Sequence, residues 1–114
     1  MDTSRTLAAH QRRNEELCRT LADKGIDLNE ARSVDLHFWS SEQRDAALLA
    51  KALYQQSFLV LAIAPAHSDQ STRRNVEAGA REPIVLVASS EFTARMVDIA
   101  LEHSSEYDGW GTSV

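Results

Sequence analysis

The sequence predicts an α+β domain in which two helices cover one face of a four-stranded antiparallel sheet and a further helix precedes the sheet. Apolar residues recur at helical spacing in three segments, and the stretches between them alternate or run continuously as strands do. A chain of 114 residues is long enough to bury one hydrophobic core. We therefore expect a single domain over residues 1–114, with a leading helix and its connection at 1–30 and the sheet domain at 31–114.

The leading helix is predicted over residues 3–24, where apolar positions form one stripe among charged and polar residues. Gly25 is expected to end this helix, because glycine adopts the left-handed backbone of a helix C-terminus at little cost. Cys18 lies on the apolar stripe and is interpreted as a packing residue rather than a nucleophile. His10 has polar neighbours and is interpreted as a surface residue.

Two predicted strands flank the first helix of the sheet domain. Residues 33–39 alternate, with Leu36 and Phe38 on the same side, which is typical of a half-buried strand. A helical stripe then extends to about Gln56. Residues 58–64 are a continuous apolar run, and this pattern favours a central strand covered on both sides or a strand in the middle of a small sheet.

The second half of the sheet domain repeats this order. Residues 66–82 lack periodicity and are predicted as a long loop that could contain a short helical turn at 75–78. A strand is expected at 83–88, begun by a proline, and it is followed by a helix and by a fourth strand after Glu106. One helix followed by strand-helix-strand twice is the ferredoxin-like split βαβ arrangement.

Composition and motifs exclude several classes of function. The formal net charge is −5, so direct nucleic-acid binding is not expected, because phosphate repels an acidic surface. The longest apolar run is too short to cross a bilayer, and the first residues lack the pattern of a secretory signal, so we expect a cytoplasmic protein. The spacings typical of zinc ligands and of phosphate-binding loops do not occur, so we assign no catalytic residue, metal or cofactor.

The predicted last helix and its exit are acidic. A surface of this charge would suit docking onto a basic segment of a protein partner, although an acidic helix face is also typical of simple solvent exposure. Two aromatic residues follow in the same stretch. The residues predicted to bind a partner are Glu91, Asp98, Glu102, Glu106, Tyr107, Asp108 and Trp110.

A second candidate site lies on the first predicted strand. Asp35, His37 and Trp39 are spaced by two residues and therefore project from the same side of that strand. An Asp and His pair can orient an imidazole as a general base, so this face is an alternative small-molecule-binding or enzymatic site. The sequence places no serine or cysteine nucleophile to complete a catalytic set, so we expect a protein that is not an enzyme.

The most specific string is Tyr-Asp-Gly-Trp-Gly-Thr at residues 107–112. Trp110 can bury on the order of 200 Å², so the string predicts a structural corner with Trp110 packed on the helices, or part of a binding surface. The string resembles the C-terminal signature of the regulator of ribonuclease activity B family, and the resemblance extends over residues 32–114. Ser57 and the pair Ser104-Ser105 stand where glycine is common in that family.

This resemblance implies a ferredoxin-like fold and a non-enzymatic protein that binds ribonuclease E and modulates RNA turnover. The implied partner is ribonuclease E or another RNA-processing protein. A binder of the immunity-protein or antitoxin type would share the acidic surface and stays an alternative. A monomer and a dimer are equally compatible with the sequence.

Overall fold

The described chain alternates between helices and strands after a long first helix. The structure is a computed structural model that describes residues 3–65 and 72–113. No helix within these two ranges combines the length and the apolar character needed to cross a membrane. The elements are α1 (Thr3–Asp23), β1 (Ala31–Ser40), α2 (Gln43–Gln55), β2 (Leu59–Pro65), β3 (Arg74–Pro83), α3 (Ile84–Val87), α4 (Ser90–Glu102) and β4 (Ser105–Gly111).

The four strands form one antiparallel sheet in the order β2-β3-β1-β4. Helix α2 joins β1 to β2, which lie on either side of β3, and α4 joins β3 to β4, which lie on either side of β1. Two strands joined by a helix with a third strand between them form a split βαβ unit, and two such units interleave here. The predicted α+β ferredoxin-like class with an additional leading helix is confirmed.

The hydrophobic core lies between the sheet and its helices. Leu36 and Phe38 of β1 are fully buried, because alternate residues of a strand face the same side and β1 has a strand on each edge. Helix α2 contributes Leu49 and Leu53, and α4 contributes Met96, all without solvent exposure. The intervening residues of β1 are partly exposed, so the sheet has a helix-covered face and an open face.

Helix α1 packs against α4 rather than on the open face of the sheet. Leu21 of α1 is buried, and Cys18 is partly buried against the core, as its position on the apolar stripe predicts. Burial raises the pKa of the Cys18 thiol, which keeps it protonated and unreactive. The predicted stop is also confirmed, because Gly25 has a left-handed backbone directly after the last turn.

The prediction of a long loop over residues 66–82 is wrong. The described part of that segment contains β3, and residues 75–78, where a helical turn was expected, are extended. The inward-facing Val76 is followed by Ala78, Gly79 and Ala80, three small residues, so the alternation between apolar and polar positions is weak in the sequence. Residues 66–71 of the expected loop lie outside the described residues.

The strand expected at residues 83–88 is replaced by the short helix α3. Ile84 and Val87 are fully buried, whereas Val85 and Leu86 are 46% and 44% exposed. Residues three apart lie on one side of a helical turn, so this turn buries two of the four apolar side chains. A run of four apolar residues has no period of its own, and its sequence therefore does not separate the two structures.

Strand β2 is an edge strand, so both predictions for it, a central strand covered on both sides and a strand in the middle of a small sheet, are wrong. Within the described residues β2 pairs with β3 alone. Leu59 is 63% and Leu61 47% exposed, and the Leu61 side chain lies 3.2 Å from the place where a Cβ on Gly79 would stand. Val60 and Ile63 pack against the core. Although the apolar run is uninterrupted, only one side of this strand is therefore covered by the core.

Within the described ranges, three helices are followed two residues later by a residue with left-handed backbone, and only one of these three residues is glycine. The φ angle is +82° at Gly25, +71° at Ser57 and +52° at Ser104. After α2 the Phe58 N–H donates to the Leu53 carbonyl at 3.0 Å, which is the long hydrogen bond of a Schellman turn. A side chain in this backbone region costs roughly 1–2 kcal/mol. The two serines are therefore strained at positions that suit glycine.

Replacement of Ser57 by glycine should stabilise the protein. Glycine relieves the backbone strain, but it also has more conformational freedom to lose on folding. The net gain in the free energy of unfolding is about 0.5–1 kcal/mol. The thermal midpoint followed by circular dichroism should rise by roughly 2–5 °C. Ser57→Ala is the control, since it removes the hydroxyl and keeps the Cβ, and it should give no such gain. An unchanged midpoint for Ser57→Gly would contradict backbone strain at this turn.

Candidate functional site

A β-bulge in β4 explains the spacing of the aromatic residues in the 107–112 string. Gly109 lies opposite His37, and Tyr107 lies opposite the next residue of β1, so Asp108 is an extra residue in the ladder. One extra residue reverses the alternation of sides along a strand. Tyr107 and Trp110 are three residues apart, yet both are buried, at 4% and 6% exposure.

Glycine at position 109 suits the backbone conformation and leaves space for the Arg13 side chain. The φ angle of Gly109 is +116°, which residues with a side chain rarely adopt. A Cβ at this position would lie 2.8 Å from Nη1 of Arg13, and that same nitrogen donates a hydrogen bond to the Asp108 carbonyl. The bulge thus lets α1 approach the backbone of β4 directly.

A buried chain of hydrogen bonds joins α1, α4 and β4. Trp110 donates through Nε1 to Oδ1 of Asn14 at 2.7 Å, and Asn14 donates through Nδ2 to Oγ1 of Thr93 at 3.1 Å. The Thr93 hydroxyl in turn donates to the Ser89 carbonyl at 2.9 Å. Asn14 and Thr93 are 4% and 1% exposed. The prediction of Trp110 as a structural corner is therefore confirmed.

His10 is buried, and its interpretation as a surface residue is wrong. Its ring stacks on Tyr107 with 5.0 Å between the centroids, and only 8% of the residue is exposed. Burial, helped by the charge of Arg13, lowers the pKa of His10, while a hydrogen bond with the Tyr107 backbone and the charges of Asp108 and Glu106 act in the opposite direction. Burial also raises the pKa of Tyr107, whose hydroxyl is enclosed without a hydrogen-bond partner in the described part of the chain.

The acidic residues predicted to bind a partner fall into two groups. Glu91, Asp98 and Glu102 are exposed and lie on one face of α4, since they are separated by seven and four residues. We call these three residues the α4 acidic face. Glu106 and Asp108 are exposed on β4 instead, outside this helix. Tyr107 and Trp110 are buried, so their rings are not available to contact a partner directly. They hold β4 and α1 in place.

The second predicted site lies on the open face of the sheet. Asp35, His37 and Trp39 of β1 are each partly buried there. Glu77 of β3 lies directly opposite His37, and its Oε1 is 3.8 Å from His37 Nδ1. The sequence provides no sign of Glu77 in this group, because its segment is predicted as a loop. The Arg73 guanidinium lies 4.8 Å from the Trp39 ring centroid and covers that ring.

The side chains of the second site do not share one cavity. Asp35 borders a shallow depression of about 360 Å³ together with Leu59 and Leu61. Trp39 borders another depression, of about 540 Å³, at the end of the sheet next to Arg73. The open face thus has two shallow depressions, with exposed Leu59 and Leu61 beside the polar side chains of β1, rather than an enclosed pocket for a small molecule.

The strand order, the covering helices and the leading helix joined to β4 define a ferredoxin-like α+β protein with an N-terminal addition. The chain matches the family described as Regulator of ribonuclease activity B over residues 11–112, and it belongs to this family. The matched range includes both Asn14 and Trp110, so the link between α1 and β4 lies within it. The comparison with curated proteins finds no match.

Removal of the Asn14 side chain should destabilise the protein markedly. Asn14→Ala leaves the buried Trp110 N–H without an acceptor and the Thr93 hydroxyl without a donor, at a cost of about 1–3 kcal/mol. Trp110→Ala should cost about 3–5 kcal/mol, because it removes a large buried aromatic side chain. Urea unfolding measures both. Gln11→Ala is the control, since Gln11 makes an exposed hydrogen bond to Ser90 and its loss should cost less than about 0.5 kcal/mol.

A parent-like melt for Trp110→Ala, within about one or two degrees, would contradict the structural role of the indole. Equal losses for Asn14→Ala and Gln11→Ala would contradict the importance of the buried chain.

Stability should fall as the pH drops below the ordinary pKa of histidine. The pKa of His10 is lower in the folded protein than the ordinary histidine value of 6.5, so below that pH the unfolded chain binds more protons. The stability that His10 contributes through its lowered pKa is complete above about pH 6.5, and it is lost as the pH falls toward that lowered pKa. Urea unfolding at about pH 7.5 and about pH 5.5 measures this loss. His10→Phe keeps a ring beside Tyr107 and should show a smaller loss; equal pH dependence in both proteins would contradict the assignment.

Proposed function

We propose that this protein is a cytoplasmic, non-enzymatic regulator that binds a ribonuclease E-like endoribonuclease and lowers or modulates its cleavage of RNA. The observation that carries the proposal is membership of the Regulator of ribonuclease activity B family over residues 11–112. The fold supports a binding role, because the buried polar groups at Asn14, Thr93 and Trp110 serve to join elements rather than to form a reactive centre.

The α4 acidic face is the proposed docking surface. Glu91, Asp98 and Glu102 are exposed, and none of their carboxylates forms an ion pair within residues 3–65 and 72–113. Arg95 lies between them, but its guanidinium bonds to Gln56 and lies 5.5 Å from the Phe58 ring. A ribonuclease that binds RNA carries basic segments, since phosphate contacts require lysine and arginine. Complementary charge also speeds the encounter between the two proteins.

The proposed partner is a protein and not the RNA itself. In sheet proteins that bind single-stranded RNA, bases stack on exposed aromatic rings of an open sheet face. Here the Trp39 ring is covered by Arg73, and the carboxylates of Asp35 and Glu77 stand at the centre of the face. Together with the net charge of −5, this arrangement opposes phosphate binding.

Charge reversal on the α4 acidic face should weaken binding to the purified endoribonuclease. The variant carries Glu91→Lys, Asp98→Lys and Glu102→Lys, and we expect at least a tenfold loss of affinity, about 1.4 kcal/mol, with matching loss of the effect on RNA cleavage. The matched control carries Glu15→Lys, Glu16→Lys and Asp23→Lys on the exposed side of α1, which changes the net charge equally. Calorimetry measures affinity, and a fluorescent RNA substrate measures cleavage.

The two parts of the proposal fail in different ways. If the unmodified protein neither binds the endoribonuclease nor changes its cleavage of RNA, the proposed function is wrong. If both triple variants lose affinity equally, binding depends on net charge alone and the α4 acidic face is not the docking surface.

A further inference from the structure

Three metal-binding side chains meet on the open face of the sheet, away from the α4 acidic face. One ligand atom each from Asp35, His37 and Glu77 lies within 4.8 Å of the others. The three side chains belong to two adjacent strands and are all partly buried. We propose that they bind a divalent transition-metal ion of the zinc type, through one carboxylate oxygen of Asp35, one of Glu77, and a ring nitrogen of His37.

The backbone positions of the three residues are set by the sheet. His37 and Glu77 are direct cross-strand neighbours in the β1 and β3 register. Asp35 precedes His37 by two residues and therefore lies on the same side of β1. Both strands are paired on each edge, so they are the two central strands of the sheet. Ligands on such rigid elements keep their spacing better than ligands on loops.

The spacing needs only a small side-chain movement to suit an ion. Zinc binds nitrogen and oxygen at about 2.0–2.2 Å, which places its ligand atoms roughly 3–3.5 Å apart. His37 Nδ1 and Glu77 Oε1 are 3.8 Å apart, and all three ligand atoms lie within 4.8 Å of one another, so they have to approach by about 1–2 Å at most. The side chains of His37 and Glu77 are 34% and 35% exposed, which leaves space for this movement.

The donor set favours zinc and its neighbours over magnesium and calcium. Imidazole suits Zn²⁺, Cu²⁺ and Ni²⁺, whereas Mg²⁺ and Ca²⁺ prefer oxygen ligands alone. Two carboxylates and one neutral imidazole carry a formal charge of −2, which a divalent ion neutralises. Three protein ligands also leave a position for water or for a ligand from another molecule.

The sheet leaves room for that additional ligand. On the β4 side Asp35 lies opposite Gly111, and a Cβ at Gly111 would have nothing within 4 Å. His37 lies opposite Gly109, which has the Arg13 guanidinium beside it, so the free space is next to Gly111. The cluster is therefore open toward Gly111 and closed toward β3, where Glu77 stands.

Titration of the untagged, chelator-treated protein with Zn²⁺ tests the site. Calorimetry should show one equivalent of Zn²⁺ bound, and the thermal midpoint should rise when the ion is present, because the ion binds the folded state. Glu77→Gln and Asp35→Asn keep the shape of each side chain and should each lower the affinity at least tenfold. His103→Gln is the matched control for a partly buried histidine elsewhere, and it should bind Zn²⁺ like the parent.

Co²⁺ gives a second readout, since its visible spectrum reports coordination by protein ligands and should be lost in His37→Gln. Midpoints of the metal-free variants show that they are folded. Absence of stoichiometric Zn²⁺ binding to the parent would overturn the proposal, as would an affinity equal to the parent's in Glu77→Gln and Asp35→Asn. Binding of Mg²⁺ as tight as that of Zn²⁺ would overturn the assigned class of ion.

Discussion

The hydrogen bond from Trp110 to Asn14 is the contact on which the placement of α1 depends. Apolar packing has no direction, so it leaves a helix free to slide or rotate over a flat core surface. A buried amide that must satisfy an indole N–H and a threonine hydroxyl together fixes both the position and the rotation of the helix. The bulge at Asp108 and Gly109 is the condition for this contact, because it turns Trp110 toward the helices.

The fold class could be predicted because its strongest elements have clear periods. Helices α1, α2 and α4 carry apolar stripes, and β1 alternates without interruption, so four of the elements and their order follow from local pattern. Strand β3 could not be found in the same way, since Val76 is followed by Ala78, Gly79 and Ala80, which give little contrast between the two sides of a strand. Nor could the apolar run of β2 reveal that Leu59 and Leu61 face solvent, because coverage by a second layer is a property of the whole fold.

The candidate sites show the same difference between local pattern and contacts made by the whole fold. The α4 acidic face could be predicted, since the spacing of residues on one helix decides which of them share a side. Glu77 could not, because its position opposite His37 is a matter of strand register between distant segments. Asn14 shows the same limit. A polar residue on an amphipathic helix is normally exposed, and its partner Trp110 is 96 residues away in the sequence.

The contrast between the two tryptophans makes the docking of α1 visible to spectroscopy. Trp110 is enclosed, and its indole N–H bonds to an amide, whereas Trp39 is partly exposed on the opposite side of the sheet beneath Arg73. Indole fluorescence shifts to longer wavelength when water reaches the ring. Detachment of α1 would therefore shift the emission of Trp110 to the red and leave that of Trp39 nearly unchanged. The chain thus contains its own fluorescent reporter, at the junction where its first helix meets its last strand.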